Sequence, residues 1–122
     1  MKKILFTLCF ALTSLLSNAQ GTFVEKYTSY VTNVNDVISE PKTASVTIIF
    51  NEGDTTDIVV YATDKPMRFY RTGKITNDKT NGGYSYQLVT CIDSESGKEV
   101  HIQLFDDACR IFMGGDYIEY DK

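Results

Sequence analysis

The chain has 122 residues, with 12 basic and 16 acidic side chains and a net charge of −4. That length suffices for one modest hydrophobic core and excludes a two-domain enzyme. An acidic chain without a Lys/Arg cluster is also a poor match for nucleic acid, where affinity comes from neutralising phosphates, and for anionic lipid surfaces.

The first element in the chain is a leader. Met1-Lys2-Lys3 gives a short positive start, and Ile4 to Leu16 is apolar apart from small hydroxyls and Cys9. Ser17-Asn18-Ala19 then places small side chains at the first and third positions, as signal peptidase requires. We expect cleavage after Ala19, giving a signal peptide over residues 1–19 and a single β domain over residues 20–122. The apolar run is shorter than the ~20 residues that cross a bilayer, so no membrane span is expected once the signal is removed. Gln20 stands where a lipoprotein would carry its cysteine. The Lys-Lys-led form is that of a bacterial signal, and the expected location is periplasmic or extracellular. Cleavage removes two lysines and leaves ten basic against sixteen acidic residues, a charge of −6.

Residues 22–39 admit two readings. Phe23, Tyr27, Tyr30, Val34 and Val37 fall at three- and four-residue steps, a helical face. Yet Val, Thr, Tyr and Asn are mediocre helix formers, and the Thr-Asn-Val-Asn-Asp run offers side chains that compete for the backbone. An opening strand near Val24 to Thr32 is the preferred reading, with one N-terminal helix as the alternative.

From Ala44 onward the sequence alternates with the period of a strand. Val46, Ile48 and Phe50 share a face. Asn51-Glu52-Gly53-Asp54 is a turn by composition, and Ile58, Val60 and Ala62 form the returning face of a hairpin. Asp64-Lys65-Pro66 interrupts, because proline lacks the donor that a central ladder needs. Met67 to Ile75 reads as the next strand. Residues 76–83 read as plain loop, with Asn81-Gly82-Gly83 the strongest turn signal in the chain. Tyr84, Tyr86, Leu88, Thr90 and Ile92 line one face of the following strand. Ser94-Glu95-Ser96-Gly97 turns it into Val100, Ile102 and Leu104. Asp106-Asp107 turns again into Cys109, Ile111 and Met113, and Gly114-Gly115 precedes a last strand from Tyr117 to Tyr120.

The predicted fold is therefore all-β: an antiparallel meander of seven or eight short strands forming a small barrel or sandwich. The 8 Tyr and 7 Phe agree with that class.

Two cysteines follow the leader, Cys91 and Cys109, and an exported pair invites a disulfide. The hairpin turns argue against it. They set Cys91 opposite Val100 and Cys109 opposite Leu104. In a flat sheet the two lie roughly 16 Å apart, whereas a disulfide needs Cα atoms within about 7 Å. Buried thiols are the favoured reading.

No motif names a reaction. His101 is the sole histidine, sits between Val100 and Ile102 facing away from the core, and has no oriented partner in the sequence. The acids at Glu52, Asp54 and Asp57, at Asp106-Asp107 and at Asp116 and Glu119 read first as turn formers and solubilising charge. The cysteines lack a C-x-x-C partner, the serines lack a nucleophile elbow, and the glycine pairs lack a phosphate-loop frame. No catalytic, metal-binding or cofactor-binding residue is assigned. Tyr61, Tyr70, Tyr84 and Tyr86 form the candidate aromatic binding surface, since exposed aromatics with polar tips suit recognition. Phe105 and Phe112 also fall off the core-facing series. These features point to an exported, non-catalytic domain that binds a small ligand or a protein partner. A carboxylate-dependent hydrolase and a structural component of a surface assembly are the alternatives.

Overall fold

The computed structural model describes residues 21–73 and 75–122, so the expected signal segment lies outside the described residues. Ten strands run in chain order: β1 (Phe23–Val34), β2 (Val37–Ile38), β3 (Lys42–Phe50), β4 (Ile58–Tyr61), β5 (Met67–Arg71), β6 (Thr76–Lys79), β7 (Ser85–Asp93), β8 (Glu99–Leu104), β9 (Ala108–Met113) and β10 (Asp116–Asp121). All pairings are antiparallel. Eight strands close a ring in the order β1-β3-β4-β5-β7-β8-β9-β10, with β10 returning to β1. The short β2 pairs with the end of β1, and β6 pairs with the start of β7. The fold is a small all-β barrel.

β1 makes closure possible. Its first half pairs with β3, from Phe23 opposite Phe50 to Tyr27 opposite Val46, and the register shifts between Tyr27 and Ser29. Its second half pairs with β10, from Ser29 opposite Asp121 to Asn33 opposite Tyr117. A bulge of this kind bends a strand and sharpens its twist, which is how a sheet turns a corner. The opening segment is thus a strand and the helical alternative does not form. Its three- and four-residue apolar steps reflect a strand that serves two neighbours. Asn35 and Asp36 then make a two-residue turn with φ of 53° and 65°, the mirror-image geometry that joins twisted hairpins.

An eight-stranded ring leaves an interior just wide enough for side chains. Every strand of the ring contributes to it. Val46, Ile48 and Phe50 enter from β3, Ile58 and Val60 from β4, and Phe69 from β5, all buried. Val89 and Cys91 meet Ile102 and Val100 in register across β7 and β8. Cys109 and Ile111 come from β9, and Tyr27 and Tyr120 fill the seam.

One expectation needs correcting. Residues 76–83 are not all loop, because Thr76–Lys79 pairs with Ser85–Leu88 as β6. This strand is polar and exposed throughout, so it carries no apolar alternation and is held by its ladder with β7. The turn beyond it matches its signal. The Gly83 amide donates to the Thr80 carbonyl at 2.9 Å, and Gly83 has φ of 86°, a value that suits glycine. The structure also settles which face of β7 is which. The face from Tyr84 to Ile92 points outward, and the inward face is Gln87, Val89 and Cys91. The register explains this, since Cys91 lies opposite buried Val100 and paired residues share a face.

Candidate functional site

The β6–β7 hairpin extends past one end of the barrel, beside the turn that joins β8 to β9. Between them lies an open cleft of about 740 Å³. Its aromatic residues are Tyr84, Tyr86 and Phe105. Tyr84 is 72% exposed, and its ring packs beside Gly82 of the turn. Tyr86 packs against Phe105 with ring centroids 5.2 Å apart and planes tilted by 45°, tying the hairpin to the β8–β9 turn. Such a contact is worth roughly 0.5–1.5 kcal/mol beyond the area it buries.

Gln87 also lines the cleft. It is the next residue on the inward face above Val89 and is only 4% exposed. Its Nε2 donates to Asn77 Oδ1 across the β6–β7 pair at 3.4 Å. Its Oε1 is buried and has no hydrogen-bond partner. A buried amide oxygen left unpaired costs about 1–3 kcal/mol, so its presence calls for a reason.

The rim is acidic. Asp78, Asp106 and Asp107 line the cleft, against Lys79 as the one cation among its lining residues. A second groove of about 430 Å³ shares Tyr84, Phe105 and Asp107 and adds Arg110, Glu119 and Asp121. Arg110 lies over the Phe105 ring at 5.3 Å and over the Tyr117 ring at 5.4 Å. Its Nε donates to Glu119 Oε1 at 2.5 Å. Burial, and then the neighbouring Glu119 carboxylate, push the Asp121 carboxyl up to about 6, with Asp107 adding to the effect and Arg110 opposing it.

The four candidate tyrosines do not converge. Tyr84 and Tyr86 both line the cleft. Tyr70 pairs with Ile92 at the far end of β7, six residues from Tyr86 and so about 20 Å along the strand. Tyr61 lies across the barrel wall on β4, where its hydroxyl donates to Glu52 Oε2 at 3.3 Å. His101 is on the outer face, 3.1 Å from Glu99 Oε1 and 3.4 Å from Thr90 Oγ1. Cys91 and Cys109 are free buried thiols, and burial raises both, Cys91 to about 12. Their registers opposite Val100 and Leu104 are those the turns imply. Among the described residues, no group of three His, Cys, Asp or Glu side chains is arranged to hold a metal ion.

Gln87 and Phe105 were not assigned to a site from the sequence. Gln87 had a signal, because a polar residue in phase with Val89 and Cys91 marks a break in an apolar interior face. Comparison with protein-family models, with curated proteins and with solved structures finds no match to this chain.

Proposed function

We propose that the chain is an exported, non-catalytic β domain that binds a small ligand at the rim of its barrel. Export rests on the leader pattern of residues 1–19. The ligand site rests on the cleft, and above all on its composition: aromatic rings at the side and a buried amide at the floor. Small-molecule sites are concave, a few hundred Å³ in volume, and combine apolar surface with a few oriented polar groups. The barrel interior is occupied by its own side chains, so the ligand is held at the end of the barrel and not within it.

A test is to label residues 20–122 with ¹⁵N and screen small ligands by amide shift perturbation. Hits should move the amides of Tyr84, Tyr86, Gln87 and Phe105 together. Hits that bind only elsewhere would remove the proposal.

A second reading, a carboxylate-dependent hydrolase, has one observation behind it. Asp121 and Glu119 share the adjoining groove, and Asp121 has a raised pKa, as an acid catalyst requires. Glu119 is held by Arg110, which suits a structural pair as well. Any hydrolytic activity of this origin should be lost in Asp121→Asn.

A further inference from the structure

We infer that the cleft selects a small organic cation, a molecule that presents a primary ammonium or guanidinium group on a compact apolar body. The inference rests on the ligand-binding reading above and names the chemistry of the ligand.

Three features converge. Gln87 lines the cleft as a buried amide whose Oε1 has no partner, while its Nε2 donates to Asn77. That oxygen is sealed in this conformation, so a ligand that completes it must bring an N–H or O–H and draw the Gln87 side chain toward the cleft. The side wall offers the exposed Tyr84 ring, whose open face attracts cations through its quadrupole. The rim then decides between a cationic and a neutral donor. Asp78, Asp106 and Asp107 stand against Lys79, and the adjoining groove adds Asp121, since Glu119 and Arg110 there pair with each other. Clefts lined by one sign of charge concentrate counter-charged ligands, and this one is negative in a chain that is negative overall. An anionic ligand would meet repulsion at the rim and an acceptor at the floor. A neutral polyol would satisfy the floor and gain nothing from the carboxylates.

The test uses three probes that share an aromatic body: phenethylamine, 2-phenylethanol and 3-phenylpropionate. Each is titrated into residues 20–122 and followed by amide shifts and calorimetry. Phenethylamine should bind at the cleft at least tenfold more tightly than the other two, and its affinity should fall as salt is raised from 20 to 300 mM. Gln87→Leu should weaken it about tenfold, the loss expected for one charge-assisted hydrogen bond. Should Gln87→Leu disturb the fold, Asp107→Asn alters an exposed rim position and should weaken the amine about threefold, as a partly screened charge does. If the alcohol or the carboxylate binds the cleft as tightly as the amine, the cation inference is wrong and the ligand cleft stands. If none of the three moves the cleft amides, both readings fall.

Discussion

Tyr27 on β1 and Tyr120 on β10 sit side by side inside the seam of the barrel, with ring centroids 6.3 Å apart and planes tilted by 43°. Among the described residues they are the two largest fully buried side chains, and together they fill the space where the first strand of the ring meets the last. The Tyr27 hydroxyl is buried without a hydrogen-bond partner, and burial drives its pKa far above the usual value. Tyr27→Phe keeps the ring and removes the unpaired hydroxyl. We expect it to leave stability unchanged or raise it by up to about 1 kcal/mol. Tyr27→Ala should cost about 3–5 kcal/mol by opening a cavity. Urea denaturation of both variants checks this, and a clear loss in Tyr27→Phe would show that the hydroxyl has a partner.

Cys91 and Cys109 should be inert in the folded protein. Both are buried and free, and a thiol held well above its usual pKa carries little thiolate at neutral pH. Ellman's reagent should label neither in native buffer and both in denaturant. Intact mass should show no loss of two hydrogens. Fast native labelling would place at least one thiol at the surface.

The Asp121 carboxyl titrates near 6 in the folded chain and near 3.8 when exposed. Between those values the folded state holds a proton that the unfolded state has released. Its contribution to stability is therefore fully present below about pH 4 and declines as pH rises to about 6. Burial raises the carboxyl's pKa most, Glu119 and Asp107 add to it, and Arg110 lowers it. In Asp121→Asn this decline should vanish, so the melting curves of wild type and variant should diverge between pH 4 and 6. Parallel curves would contradict the raised value.

Arg68 on β5 forks to Glu52 Oε1 at 2.6 Å and Asp57 Oδ2 at 3.1 Å. Its cross-strand partner is Val59, which is 1% exposed although it points out of the barrel. Directly paired residues share a face, so the aliphatic stem of Arg68 is placed to cover that valine. Arg68→Ala should cost about 1–2 kcal/mol, more than a single exposed ion pair. Arg68→Met should recover the packing share, and the remaining difference should shrink in 1 M salt.

Gly73 leaves no room for a side chain. A Cβ placed there would lie 2.9 Å from Thr90 Cβ, and its amide also approaches the Thr90 carbonyl at 3.3 Å. Gly73→Ala should destabilise by roughly 1–3 kcal/mol, the usual cost of overpacking. A neutral result in a thermal melt would mean that β5 can shift away from β7.

The interior faces of β3, β4 and β8 were legible because strict alternation leaves one face apolar, as in Val46, Ile48 and Phe50. Turn residues fixed register as well: Ser94 to Gly97 and Asp106-Asp107 place Cys91 and Cys109 where the structure has them. β6 was not legible, since a strand held by its backbone ladder writes nothing into Thr76-Asn77-Asp78-Lys79. The orientation of β7 was not legible because its outward face, with Tyr86, Leu88 and Ile92, is as apolar as its inward one. That ambiguity also hid the site. Gln87 becomes conspicuous only when Val89 is known to face inward, and the pairing of Tyr86 with Phe105 depends on a hairpin whose first strand could not be seen.

The pairing of Ser29 with Asp121 has a consequence for the order of folding. Adjacent hairpins such as β7–β8 and β8–β9 can form as soon as their own residues are present, but the ring cannot. Its last ladder joins segments from opposite ends of the described chain, and so many long-range pairings place this topology among slow folders, with times of about milliseconds to seconds. Until β10 docks, the free sides of β1 and β10 are bare and open to neighbouring chains. Dilution during refolding should therefore matter more to this protein than its size suggests.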